Sequence, residues 1–383
     1  MNPRLPDQFA SIRQGVLENQ LPKPYLGELE AIWHQYLEQL RELVPNVYIE
    51  EDGESVYLGQ LSPGCRSCKN GTWDCIFLSN ACNLACSFCC SPQNIPQDYR
   101  GSAFGETIEQ IHSNYQKTDI QGISFSGGEP FQDKAILFQW FSAFTERFPE
   151  KYYWVYTNGL LVEEDDLKRL SVAGLDEIRF NTAATGYNHP LVLRNLELAA
   201  RHLPIVTVEI PAIPWHRKKL ISSLKLWSDC GVQILNLHEL MYEPGTKAAS
   251  LKGKRIPFVT LDGHFTEVAP VSRFLTLAVM KFVSNERLPL SVNDCSMQSK
   301  LRQLRGRKRS LIPLTKQHYE LACADGTYLT TYVSLEGEEG FFVHPDLYGE
   351  NRSTMTGGRA YNVKRSQPLS LTDPGRWLSV EEI

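Results

Sequence analysis

Seven of the ten cysteines lie between Cys65 and Cys90, in the stretch CRSCKNGTWDCIFLSNACNLACSFCC. Thiolates bind soft metals and carry redox chemistry, so this density points to one or two metal or redox centres. Cys82, Cys86 and Cys89 form C-x3-C-x2-C. That spacing lets three thiolates from one loop converge on one centre, and a [4Fe-4S] cluster fits it, because three-thiolate ligation leaves one iron open. A structural zinc would want a fourth ligand and paired knuckles.

Cys65, Cys68 and Cys75 form a second set, C-x2-C-x6-C. An auxiliary iron-sulfur cluster, a structural zinc and unliganded thiols all suit it. A fourth ligand would come from elsewhere: Cys295 in SVNDCSMQSK, read as a polar, turn-rich segment that folds back, or second Cys323 in YELACADG. Cys75 also reads as a buried core thiol, because it sits inside an apolar strand pattern. Cys90 and Cys230 read as structural.

The elements that must position these thiols follow from the hydrophobic pattern. Short apolar runs (WDCIFLS, GISFS, YYWVYT, DEIRFN, VTVEI, QILNL) alternate with helical stretches from Trp73 to about Tyr242. Six β/α steps predict an α/β fold with a parallel sheet curved into a full or partial barrel, its chemistry at the strand C-terminal ends. Before it, residues 26–44 have helical spacing and VYIEEDGESVYL reads as a hairpin. After it come a helical stretch near 271–283, a basic run KLRQLRGRKRS and a hairpin TYLTTYVSLEGEEGFFVHP. The expected organisation is an extension over 1–72, a barrel over 73–242 and a C-terminal extension over 243–383 that completes an auxiliary site and the substrate pocket.

CNLACSFC, then SGGEP at 126–130 and YTNG at 156–159, resembles the radical S-adenosylmethionine (SAM) superfamily over residues 73–240. DCSMQSKLRQLRGRKR more loosely resembles a group related to pyruvate formate-lyase activating enzymes. The resemblance implies a partial (β/α)6 barrel and a [4Fe-4S] cluster on Cys82, Cys86 and Cys89. It implies that SAM, bound to the open iron, is cleaved reductively to a 5'-deoxyadenosyl radical that abstracts hydrogen from a peptide, protein or small molecule. An electron donor such as flavodoxin or ferredoxin would feed the cluster. By the same resemblance Phe88 contacts adenine, and Gly127, Gly128, Glu129 and Pro130 form the turn that receives the methionine ammonium. Thr157, Asn158, Arg179, Asn181, Glu209 and His238, at strand ends, line the pocket, with Arg179 or Asn181 on the carboxylate and Glu209 on the ribose. A cobalamin-dependent methyltransferase is the alternative, although no D-x-H-x-x-G signature is present, and a non-catalytic metal-stabilised binding protein is a further one.

The formal charge of -5 and pI near 6.0 give no overall pull toward nucleic acid or anionic membranes. No apolar run is long enough to span a bilayer, which predicts a cytoplasmic protein. The cations from Lys300 to Arg309 suit either a solvated helix face or an anionic ligand, and no aromatics interleave them to stack bases. His216, beside Trp215 in PAIPWHRKK, is a titratable candidate for a loop over the pocket.

Overall fold

The computed structural model describes residues 29–91, 107–259, 265–269, 271–323, 327–335, 340–351, 358–367 and 377–383. The start of the helix expected over 26–44 lies outside them. The described residues form two compact units, one within 29–258 and 265–303, the other within 304–383.

The first unit opens with α1 (Glu30–Leu43), whose buried stripe Trp33, Leu37 and Leu40 recurs at helical spacing. The hairpin β1 (Val47–Glu50) and β2 (Ser55–Leu58) pairs antiparallel from Val47↔Leu58 to Glu50↔Ser55. Helix α2 (Pro63–Asn70) carries Cys65 and Cys68. Ser62 caps it by accepting from the Cys65 amide at 3.0 Å, Pro63 fits its first turn, and left-handed Gly71 ends it.

The β/α alternation follows: β3 (Trp73–Phe77), α3 (Ile108–Tyr115), β4 (Gly122–Ser126), α4 (Lys134–Arg147), β5 (Tyr152–Thr157), α5 (Glu164–Val172), β6 (Glu177–Phe180), α6 (Pro190–His202), β7 (Ile205–Ala212), α7 (Arg217–Asp229) and β8 (Ile234–Glu239). Then come β9 (Ile256–Val259), β10 (Phe265–Val268), α8 (Ser272–Asn285), β11 (Ser291–Cys295) and α9 (Met297–Thr315), which runs on into the second unit.

These strands make one mixed, mostly parallel sheet in the order β1-β2-β11-β8-β7-β6-β5-β4-β3. All six expected parallel strands are present. A seventh, β11, pairs parallel with β8, placing Cys295 beside His238, and antiparallel with β2. The expectation of a turn-rich segment at Cys295 is therefore corrected. Its polar look has a physical cause: Val292 and Asp294 face one side of the sheet, whereas Asn293 and Cys295 face an interior that is itself polar.

Phe77 of β3 and His238 of β8 line the same cavity, which a flat sheet could not achieve, so the sheet curves as a partial barrel. Helices cover its convex side with side chains such as Leu137, Phe141 and Leu196. Helix α2 lies on the concave side. A Cβ at Gly64 would meet Arg179 Nη2 at 2.7 Å and Glu177 Oε2 at 3.0 Å, so only glycine lets the helix seat this deeply.

The second unit is built on an antiparallel sheet, β12 (Leu321–Ala322), β13 (Thr327–Leu335), β15 (Gly358–Ser366) and β16 (Trp377–Glu382), with β14 (Phe341–Val343) on β13. The expected hairpin is the β13–β14 pair, and Tyr332, Tyr361, Val363 and Val380 form a core. Cys323 lies in this unit. Among the described residues no helix is long and apolar enough to cross a membrane.

Candidate functional site

A cavity of about 470 Å3 opens at the C-terminal ends of β3 to β8. Cys82, Cys86 and Cys89 all line it, together with Phe88, Gly127, Gly128, Pro130, Thr157, Asn158, Arg179, Asn181, Glu209 and His238. Thus ten of the eleven residues expected around the cofactor reach one wall or another of it. The exception is Glu129.

Burial pushes the Cys86 thiol up to about 11, reinforced by Cys82 and Cys89, while Lys247 in the same wall opposes the shift. The three thiols therefore stand within electrostatic reach of one another. A [4Fe-4S] cluster fits this donor set: three thiols of one loop, in one cavity wall, beside an uncompensated cation. Among the described residues no group of three or more His, Cys, Asp or Glu side chains is preset to hold a metal ion. Cys90, expected to be structural, also lines the cavity, with its thiol directed at the Phe88 carbonyl at 3.6 Å.

The turn after β4 locks onto the cysteine loop. Gly128 donates its amide to the Ser79 carbonyl at 2.7 Å and Glu129 to that of Ala81 at 2.8 Å. A Cβ at Gly127 would stand 2.2 Å from Ser79 O and one at Gly128 2.1 Å from Ala81 O. The glycines thus admit the backbone that carries the cluster cysteines. Glu129 turns back into the protein: its carboxylate accepts from the Asn158 amide at 2.6 Å, the Thr157 hydroxyl at 2.8 Å and the Phe131 amide at 3.1 Å. In this arrangement it braces the strand-end turn at Thr157–Asn158. Asn158 in turn donates to Asn83 at 2.7 Å, and Asn181 accepts from the Ala184 amide at 3.2 Å as a local cap.

The cavity floor is a charged chain running inward. Arg179, buried against the Trp154 ring, bonds Glu177 at 2.9 Å and Glu209 at 2.8 Å. Glu209 also accepts from Asn236 at 2.8 Å and meets His238 Nε2 at 2.5 Å. Burial opposes ionisation of Glu209, but Arg179 and His238 hold it well below the usual carboxylate range. Burial would lower His238, yet the Cys295 and Glu209 charges raise it to about 9. Burial likewise opposes a Cys295 thiolate, and His238 overcomes it. Arg179 and Glu209 are therefore bonded to each other while both line the cavity.

Cys65 and Cys68 lie on the same side of the sheet as Cys295, at this floor. The Cys65 sulfur lies 3.3 Å from Asn236 Nδ2 and 3.6 Å from Arg179 Nη2, and Cys68 feels the charges of Cys295 and Cys65. Cys75 is bonded to Ser124 instead, and burial pushes it up to about 12. His216 does not line the cavity: its Nδ1 is 3.0 Å from the Tyr187 hydroxyl. Of the basic run, Lys300 Nζ lies 3.7 Å from Met241 Sδ, and Arg302 pairs with Glu50 at 3.0 Å.

Lys247, Met241 and Glu239 also line the cavity and carry no sequence motif. Glu239 accepts from the Met297 amide at 2.9 Å, and its Oε1 has no hydrogen-bond partner among the described residues. Burial raises it from 4.5 to about 7, against the pull of Arg273. A raised folded-state value stabilises the protein while the carboxyl stays neutral, and that advantage is lost as pH rises from about 4.5 toward about 7. Glu239→Gln, which cannot ionise, should therefore gain stability relative to the parent by about 2 kcal/mol on going from pH 5 to pH 8. Urea unfolding of both proteins at the two pH values measures this, and parallel stability curves would refute it.

Residues 63–176, which contain the cysteine loop and the glycine turn, match the family described as 4Fe-4S single cluster domain. Over 315 residues, 79% of this chain and 80% of the relative, the sequence is 24% identical to a Methanocaldococcus jannaschii protein with the provisional name glycyl-radical enzyme activating enzyme MJ0021. Solved structures that align with this chain include Streptococcus suis SuiB bound to S-adenosylmethionine, at 13% identity and TM-score 0.44 over 58% of this chain and 50% of SuiB. Methylornithine synthase (PylB) aligns at 14% identity and TM-score 0.41, over 70% of this chain and 85% of that one. The chain thus spans about half the length of SuiB.

Proposed function

We propose that this protein is a radical SAM enzyme that takes a hydrogen atom from a peptide or protein substrate. The observation that carries the reading is the single cavity in which Cys82, Cys86 and Cys89 share walls with the polar ends of β5 to β8. The macromolecular substrate is favoured by the name of the archaeal relative. When bound, the cluster and SAM supply one-electron cleavage of the sulfonium and a carbon radical able to abstract hydrogen.

The chain's own contribution is placement. Cys82, Cys86 and Cys89 would hold the cluster, with electrons from a flavodoxin or ferredoxin. Lys247, in the cavity wall with no carboxylate partner among the described residues, is placed to take the methionine carboxylate, while Arg179 is already bonded to Glu177 and Glu209. Phe77, Phe88 and Leu240 supply apolar wall that excludes water from the reacting atoms. The Arg179–Glu209–His238 chain keeps the floor rigid and its charges balanced.

Reduced, anaerobic enzyme with SAM tests the reading by its 5'-deoxyadenosine yield. The yield should rise when the fraction of a host extract retained on dialysis is added, with deuterium from a labelled macromolecule appearing in the product. Stimulation only by the dialysable fraction, or release of S-adenosylhomocysteine in its place, would overturn it.

A further inference from the structure

We propose a second metal site, formed by Cys65, Cys68, Cys295 and His238 on the floor of the barrel, that takes one soft divalent ion of the zinc class. Four backbone positions bring these donors together. Cys65 and Cys68 are three residues apart on α2, so both lie on the face that the helix turns to the concave sheet. Cys295 and His238 are register partners on the parallel strands β11 and β8. The pairs face each other: the Cys65 sulfur lies 3.9 Å from Asn293 Nδ2 and 3.3 Å from Asn236 Nδ2, and those asparagines stand two residues before Cys295 and His238 on the same inward face of the paired strands.

The surroundings are those of a ligand set rather than of idle thiols. A metal-bound imidazole usually gives its other ring nitrogen to a carboxylate, which fixes its orientation. His238 has that partner in Glu209, at 2.5 Å from Nε2, and Glu209 is itself fixed by Arg179 and Asn236, each at 2.8 Å. Arg179 Nη2 also donates toward the Cys65 sulfur at 3.6 Å, an interaction that favours its thiolate.

Three sulfurs and one nitrogen match a tetrahedral zinc site. Asn236 and Asn293, 3.3 and 3.9 Å from the Cys65 sulfur, crowd the floor toward a single ion and away from a four-iron cluster. Cys75, committed to Ser124, is left out. Since no such group is preset among the described residues, binding would turn the thiols onto the ion and release their protons. The assignment does not depend on the SAM chemistry proposed above.

Metal and sulfide analysis of the full-length enzyme, purified anaerobically with added zinc, tests it. One zinc per chain is expected beside the cluster iron. Cys82→Ala should lose iron and keep zinc, whereas Cys68→Ser and Cys295→Ser should lose zinc and keep iron. Glu209→Gln, which leaves all four ligands in place, should weaken zinc binding about 10–100-fold. Because buried cysteine variants can fail to fold, cobalt is titrated into the unaltered protein: a thiolate-to-cobalt absorption band with tetrahedral visible bands, bleached by zinc, is expected. Zinc retained by the two serine variants, no cobalt band, or extra iron and sulfide lost with Cys68 and Cys295 would each overturn the assignment.

Discussion

Alanine in place of Cys82, Cys86 or Cys89 should reduce 5'-deoxyadenosine formation to background and strip the protein of cluster iron. A three-thiolate set has no spare ligand, and each thiol is drawn from the same short loop, whose backbone is pinned to the glycine turn through Ser79 and Ala81. Cys89→Ala is the most informative of the three, since Cys90 is its neighbour and also reaches the cavity. Substitution by Cys90 would stretch the spacing by a residue and turn its sulfur away from the Phe88 carbonyl, so rescue is not expected. Cys90→Ala should keep both iron and activity. The reverse pattern, with Cys90 required and Cys89 dispensable, would show that the third ligand has been assigned wrongly.

The second large effect is expected at Arg179, and on stability. Its guanidinium joins Glu177 and Glu209 in the interior and stacks on Trp154. Arg179→Ala leaves two buried carboxylates without their cation, a loss of about 3–5 kcal/mol by analogy with other broken buried pairs. Arg179→Lys should recover little, because a single ammonium cannot reproduce a fork that bonds both carboxylates. Urea unfolding reads the loss as a lowered midpoint at unchanged slope. A variant within 1 kcal/mol of the parent, with the slope preserved, would mean that the ion network contributes specificity rather than stability.

Much of this molecule can be read from its residues. The six β/α steps were legible because β-branched and aromatic runs between turn residues mark their strands, even where β6 to β8 carry Glu177, Arg179, Glu209 and His238 on the inward face. Strand β11 was not, since its inward residues Asn293 and Cys295 are polar by virtue of what they face. The cysteine loop and the turn at 126–130 could be placed because local spacing encodes local geometry. What the carboxylates and Arg179 do could not, since their partners lie far away in sequence: Glu129 meets Asn158, and Arg179 meets Ser62 and Glu209. Lys247 left no trace, because a single charged residue after a strand has no pattern to distinguish it.

The placement of β11 also bears on how the chain assembles. Strand β8 is finished by Glu239, yet its outer edge is paired only by Ser291–Cys295, and the first hairpin joins the sheet only through that same strand. During synthesis the curved sheet therefore waits with one long hydrogen-bonding edge uncovered and its N-terminal hairpin undocked, until some fifty further residues have emerged. An uncovered edge is a template for pairing with another chain. Pairings this distant in sequence also slow folding. The strand that brings Cys295 to the floor of the barrel is thus also the latch that closes the sheet against its neighbours.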